Sequence, residues 1–326
     1  MIVTNYWNCA WRSVAKKKGF SVVNIVGLAI GMAAALLILT YVAFEYSYDD
    51  MHSRQDRIFR VEARFYENGE LTDDWASSSA GYATAMKQNM SAVEAYTRVG
   101  SQYYPEQVVK YNELLYRETG IGYAEANFFD FFDFKLLKGN KESCLDGPNK
   151  VVITERIARK YFKGADPIGK ILIFRSNIGE EACEVTGIME DMPINTHIRY
   201  NLLISYKTLP KWMDEYWYRH EVYSYVLLKS ANLKTQVEED FPVMAEKYKT
   251  EEALKNKTWA IQLTNLRDIH LNPQKAYEPE VKGNRSSIWV LICTALAILC
   301  IAWINYINMT VARSMERAKE IGIRRA

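Results

Sequence analysis

FSVVNIVGLAIGMAAALLILTY, residues Phe20 to Tyr41, carries no Asp, Glu, Lys or Arg. A helix needs roughly 20 apolar residues to cross the hydrocarbon core, so this stretch reads as a membrane-spanning helix. Near the far end, IWVLICTALAILCIAWINYINMTV (Ile288–Val311) is a second uncharged stretch of spanning length. The segment between them is polar, of domain size and of ordinary globular composition. Span, domain, span is the order that decides the architecture: a folded domain held on one side of a membrane by a helix at each end.

The flanks set the orientation. Arg12, Lys16, Lys17 and Lys18 precede the first span, and Arg313, Arg317, Lys319, Arg324 and Arg325 follow the second. Lys and Arg accumulate on the cytoplasmic side, so both termini are predicted cytoplasmic and the middle domain outside. The chain has 41 basic and 39 acidic residues, net +2. Removing the flanking basic residues leaves a mildly acidic middle, which argues against a nucleic-acid partner. A basic start and an apolar run also describe a cleaved signal peptide. This run is longer than a signal core, and it ends in Leu39, Thr40, Tyr41, Val42, Ala43, Phe44, Glu45 without a small-x-small cleavage site. It is read as a retained anchor.

Metal and nucleotide chemistry find little support. Cys9 falls on the cytoplasmic side and Cys293 and Cys300 inside the second span, leaving Cys144 and Cys183 outside, where one bridge between them is open. No cysteine pair has metal-ligand spacing, and His52, His197, His220 and His270 are scattered without i, i+4 pairing. Neither G-x-x-x-x-G-K-[ST] nor G-x-G-x-x-G after a strand occurs. The chain is expected to need no cofactor of its own and to have no catalytic residues.

The middle reads as α+β. Asp56 to Tyr66 alternates apolar and polar, as a half-buried strand does. Residues 81–90 space their apolar side chains as a short helix, and 95–101 return to a strand. Asn149 to Gly164 has an apolar VVI run and then a helix, with Thr154 as N-cap and Ile157, Ala158, Tyr161 and Phe162 as its inner stripe. Asp166-Pro167-Ile168-Gly169 is a turn. Strands are expected at 170–176, 183–192, 221–230 and 259–272, with a helix around 234–248.

Two sets of residues stand out physically. Gly27, Gly31 and Ala35 are spaced by four on one face of the first span, where small side chains let helices approach closely. Lys211 to His220 is dense in aromatics; Trp212, Tyr216, Trp217 and Tyr218 are candidates for a partner surface, since Trp, Tyr and Arg dominate such surfaces. Asn24, Asn305 and Asn308 are polar in or near the spans. With no carboxylate in either span they fit helix contacts better than an ion relay.

Six segments in order carry a family resemblance: RSVAKKKGFSVVNIVGLAIGMA (12–33), DRIFRVE (56–62), FFDFFDFKLLKGN (128–140), VVITERIARKYFKGADPIGKIL (151–172), VTGIMEDMPINTHIRYNLLIS (185–205) and INYINMTVARSMERAKEIGIRRA (304–326). Together they resemble the permease subunit of an ABC transporter of the MacB/FtsX type. The resemblance implies a cytoplasmic amphipathic helix at 1–19, spans at 20–41 and 288–311, and an extracytoplasmic MacB-like core domain at 42–287 on a helical stalk. That domain would have an αβ lobe with an inserted, mostly β lobe at about 103–203. Residues 312–326 would begin a cytoplasmic coupling segment, truncated here, since the family continues into further spans.

The resemblance further implies an inner-membrane, multi-pass protein whose ATP is hydrolysed on a separate ABC ATPase. Its other partners would be a second permease copy or half, the membrane, and periplasmic adaptor or outer-membrane components. The expected outcome is mechanotransmission, with efflux or export of peptide, antibiotic or lipoprotein-like substrates. Arg317, Glu320, Gly322 and Arg324 become the ATPase-contact candidates. The alternative is a two-span sensor whose exterior domain binds a ligand.

Overall fold

The computed structural model describes residues 18–100, 106–176, 179–215, 217–219, 222–249, 257–279 and 282–325; the side chains of 18–21, 24, 106, 176, 214–215, 312–313, 316–322 and 324–325 are outside this set. The chain divides into two compact units: the terminal helices, and the domain Ser47–Gly283.

In the first unit, helix α1 runs over Lys18–Tyr46 and helix α6 over Arg285–Arg325. Ile25–Tyr46 and Arg285–Val311 are long and apolar enough to cross a membrane. Both helices show apolar side chains outward nearly all round, as Leu37 at 72% and Trp303 at 72% exposure illustrate. That surface is stable only in lipid or against other spans.

The domain is built from alternation and turn chemistry. In chain order it comprises β1 (Ile58–Glu67), β2 (Glu70–Trp75), α2 (Gly81–Asn89), β3 (Val93–Gly100), β4 (Glu106–Tyr111), β5 (Leu114–Thr119), β6 (Ile121–Ala124), α3 (Phe128–Phe131), β7 (Leu136–Lys138), β8 (Lys150–Thr154), α4 (Glu155–Phe162), β9 (Ile171–Ser176), β10 (Gly179–Met189), β11 (Leu202–Ser205), β12 (Val222–Leu228), α5 (Lys234–Ala245) and β13 (Thr258–Asn265). The strands join in one mixed sheet of order β13-β1-β12-β3-β6-β11-β8-β10-β9-β4-β5, with β2 added to β1 and β7 to β10. The pairs β6–β11 and β8–β10 are parallel. Two register pairs, Val99 with Ala124 and Gly100 with Tyr123, join the two halves of the sheet at β3–β6.

Local signals explain several boundaries. Asn68 and Gly69 have φ of 53° and 85°, the left-handed pair that a tight β1–β2 hairpin requires. Thr154 accepts the Ile157 amide at 3.4 Å and caps α4, whose Ile157, Tyr161 and Phe162 are buried. Gly139 sits at φ +102°, and a Cβ there would lie 2.6 Å from the Thr186 carbonyl oxygen, so the end of the FFDFFDFKLLKGN stretch demands glycine.

Three apolar clusters fill the domain. One joins α2 and α5 to the sheet through Tyr82, Phe241, Phe65 and Trp259. A second, on the opposite face of β1 and β12, gathers Phe128, Phe129, Phe131, Phe132 and Phe134 with Tyr223, Tyr225 and Leu266. The third lies under α4. At the sheet's end the β13 amide of Leu263 donates to Glu238 Oε1 of α5 at 2.6 Å.

One expectation changes. β1 is not half-buried: its residues from Ile58 to Ala63 are all buried, including Arg60 and Glu62. The polar positions of the alternation are covered by residues near the domain's end, and they are paired there.

Candidate functional site

The chain enters the domain directly after α1, at Ser47, and leaves it just before α6, at Gly283. These two crossings are the covalent links between the spans and the domain. Each is fixed within the domain by a buried polar network.

The entry crossing turns sharply at Asp49, which has φ 59°. Short polar side chains tolerate that conformation because they bond locally. Asp49 is 0% exposed. Its carboxylate accepts the Thr196 hydroxyl at 2.5 Å and meets His197 Nδ1 at 2.7 Å. His197 Nε2 in turn meets the Tyr225 hydroxyl at 2.9 Å. The Asp49 amide donates to the Asn195 carbonyl, and Asn195 Nδ2 returns a bond to the Ser47 carbonyl, both at 3.0 Å. Tyr48 stacks on His270 with centroids 3.4 Å apart. Burial alone would push the Asp49 carboxyl upward. The charge and hydrogen bond of His197, with Thr196, outweigh it and hold the pKa below the usual range.

Acid, imidazole and hydroxyl stand in line here, as in a nucleophile relay. The chemistry differs. The hydroxyl is a phenol 2% exposed, and burial raises its pKa well above the ordinary value. A protonated, inaccessible phenol is a clamp rather than a nucleophile.

The exit crossing is held by charge. Arg60 on β1 is 0% exposed and bonds Glu62 Oε1 at 2.6 Å and Glu278 Oε1 at 2.6 Å. Lys282 reaches Glu278 Oε2 at 2.6 Å, and Lys275 reaches Glu62 Oε2 at 2.9 Å and Asp74 Oδ1 at 2.7 Å. The Thr264 hydroxyl completes Glu62 at 2.8 Å. Burial disfavours the Glu62 carboxylate, yet Arg60 and Lys275 lower its pKa. Burial would lower Arg60, and its two glutamates raise it instead. Burial wins at Lys282, whose pKa is lowered despite Glu278. Such a network stabilises little in net terms, but leaving one member unpaired is costly.

His52 adds a titrating group to the entry side. Its Nδ1 accepts the Asp133 amide at 3.2 Å, its Nε2 finds no hydrogen-bond partner among the described residues, and its ring packs on Phe132 and Phe134. Burial lowers its pKa to about 4. Because the folded value lies below the unfolded one, unfolding takes up a proton between the two, and stability falls as pH drops through that window. Acidifying the chain from pH 7 to pH 5 is expected to cost about 2 kcal/mol through this residue. Denaturant unfolding at the two pH values checks it. His52→Gln should flatten the dependence, and an unchanged slope would remove His52 as its cause.

The sequence candidates are dispersed. Gly31 faces α6, where a Cβ would meet Ala302 at 3.5 Å and Ile298 at 3.7 Å, and Ala35 is buried; Gly27 has nothing within 4 Å. Trp217 is buried, stacked on Tyr248 at 4.1 Å and on Trp259 at 5.7 Å. Tyr218 is half-buried beside Phe65 and Trp75. Trp212 is 47% exposed, with the Arg219 guanidinium 5.6 Å from its ring. Tyr216 lies outside the described residues. Arg317, Glu320, Gly322 and Arg324 have helical backbone within α6, and their side chains lie outside the described set.

Cys144 and Cys183 are buried free thiols, raised by burial to about 11 and about 12. No group of three or more His, Cys, Asp or Glu is placed to hold a metal among the described residues. A cleft of about 330 Å3 lined by Asp56, Lys234, Asn265 and Asp268 is polar and open, unlike the apolar pockets that enclose small ligands.

The sequence reading missed both networks. Thr196 and His197 lie within the VTGIMEDMPINTHIRYNLLIS stretch, and Arg60 and Glu62 within DRIFRVE, but without the fold nothing assigned them partners. An Arg and a Glu two apart on one face of an alternating strand were the available signal.

Comparison with known proteins follows this geometry. The family model of the MacB-like periplasmic core domain matches residues 21–242. Among solved structures, a domain of a permease protein from Porphyromonas gingivalis is similar at TM-score 0.58 and 24% identity, covering 66% of this chain and 91% of that one. The extracellular domain of the noncanonic ABC-type transporter YknZ from Gram-positive bacteria aligns at TM-score 0.41 and 13% identity, covering 63% and 100%. The periplasmic region of MacB from Actinobacillus actinomycetemcomitans aligns at 0.39 and 16%, covering 61% and 87%. No curated protein matches the chain.

Proposed function

Because this chain belongs to the family of the MacB-like periplasmic core domain, we propose that it works as an ABC-transporter permease that carries motion from a separate cytoplasmic ATPase to its outside domain. The observation behind this reading is the match itself, which runs from the first span deep into the domain and is followed by a second helix of spanning length. Placement in the inner membrane, ATP on a partner subunit and a paired permease belong to the same proposal. So does a substrate handled on the outer side, of the peptide, antibiotic or lipoprotein-like classes. The fixed crossings suit this role: a helix that shifts drags an anchored strand rather than a loose loop.

The test is copurification with a cognate ABC ATPase in the full-length protein. Purified without it, the permease should hydrolyse no ATP above background. Glu320→Arg places a cation among the existing ones, and Gly322→Val adds a β-branched side chain. Each should weaken ATPase copurification about tenfold, the effect of losing about 1.4 kcal/mol, while membrane insertion persists. Normal copurification with full transport in both variants would make the tail a topology anchor only. Ligand-dependent signalling without any ATPase would favour the two-span sensor.

A further inference from the structure

Tyr223 and Tyr225 are two residues apart on β12 and therefore stand on the same face of the sheet. Both are 2% exposed. The Tyr225 hydroxyl meets His197, which holds Asp49 of the entry crossing. The Tyr223 hydroxyl donates to the Tyr277 carbonyl at 2.9 Å. Tyr277 precedes Glu278, whose carboxylate binds Arg60 and Lys282 at the exit crossing. Arg60 is directly opposite Tyr225 in the β1–β12 register. One short strand thus touches both crossings from one face, through two adjacent phenols.

We propose that β12 is a shared anchor that couples the two crossings, so that displacing one loosens the other. The route runs from Asp49 through His197 and Tyr225 to β12, and from β12 through Tyr223 and the opposed Arg60 to Tyr277, Glu278 and Lys282. Three properties make it a link rather than a coincidence of packing. β12 lies inside the sheet, bonded to β1 on one side and β3 on the other, so it moves with its neighbours. Its bond to the entry network, Tyr225 to His197, is buried, where water cannot replace a broken partner and a half-satisfied network is penalised, and its bond to the exit crossing, Tyr223 to the Tyr277 carbonyl, is partly buried. The interior around it is the aromatic cluster of Phe128 and Phe132, the latter 5.2 Å from Tyr225, and dense packing passes displacement on instead of absorbing it. The link lies within the domain and does not depend on what drives the spans.

Hydrogen–deuterium exchange on the full chain in lipid nanodiscs tests this. Tyr225→Phe removes one hydroxyl and keeps the ring. It should speed amide exchange roughly tenfold both at 47–53, which Tyr225 holds through His197 and Asp49, and at 275–279, on the far side of β12. Tyr223→Phe should do the reverse, loosening 275–279 directly and 47–53 through β12. Val109→Ala, on β4 near the other end of the sheet from β12, is the control and should leave both segments unchanged at an equal loss of melting temperature. Reciprocal loosening with a silent control supports the anchor. Exchange that rises only at 47–53 in Tyr225→Phe and only at 275–279 in Tyr223→Phe overturns it, as does a control that loosens both crossings equally. If Tyr225→Phe fails to fold, Tyr223→Phe alone decides between these outcomes. ATP hydrolysis and transport do not enter the readout, so the permease reading stands or falls separately.

Discussion

Arg60→Met lowers the melting temperature of the chain by roughly 10 °C. The substitution keeps most of the side chain's length and removes its charge, leaving Glu62 and Glu278 buried beside it at 1% and 2% side-chain exposure. Breaking a buried pair in this way costs about 3–5 kcal/mol. In a domain of this size each kcal/mol shifts the midpoint by about 2–4 °C. Lys275 and Lys282 remain and soften the loss, since each still pairs with one of the glutamates. The compensated variant separates charge from volume. Arg60→Met combined with Glu62→Gln should regain part of the loss, because Glu278 keeps Lys282, Lys275 keeps Asp74, and no unpaired charge is left. Thermal unfolding followed by circular dichroism measures both. A shift under about 3 °C for the single variant would mean that water reaches the cluster and that its burial is not maintained in solution.

Phe128→Ala is expected to destabilise the domain by about 3–5 kcal/mol, the range for truncating a buried aromatic. Phe128 is 0% exposed. It stacks on Phe134 with centroids 5.6 Å apart and meets Phe129 and Phe132 edge-on at 5.3 Å. The neighbours are themselves rigid rings, so the cavity has little means to collapse. Trp212→Ala is the contrast: a larger ring is removed, but from a site 47% exposed, and a change within about 0.5 kcal/mol is expected. Chemical denaturation of the two variants side by side checks the ordering, and equal losses would show that Trp212 packs against something in solution.

The elements legible in the sequence were those with a single dominant local signal. The Thr154 cap with its amphipathic stripe gave α4, the Asp166–Gly169 turn was read correctly, and the alternation at 56–66 gave β1. The spans were legible because hydrocarbon tolerates so few compositions. The β4–β5 hairpin and the short strands β6, β7 and β11 were not read, because segments of three to six residues carry too few positions to fix a period. Asn68-Gly69 was a hairpin signal in plain view. At the site, the sequence favoured the visible aromatics of 211–220. The fold buries Trp217 and half-buries Tyr218, and it gathers instead polar residues more than two hundred positions apart, as with Arg60 and Glu278. Partnership across that separation is a property of sheet order, and sheet order is set by long-range packing.

Glu238 and the Leu263 amide it accepts bear on how many copies of this chain can share a bilayer. β13 is the outermost strand on its side of the sheet. A bare outer strand invites a second molecule to add its own strand, and continued addition gives aggregates. Proteins held in one bilayer meet at high local concentration, so an unguarded edge strand would be tried more often than in free solution. A carboxylate seated on the outward amide removes a donor that such an addition would use, and it repels the same carboxylate on an approaching twin. Crowding then remains a matter of encounters that end.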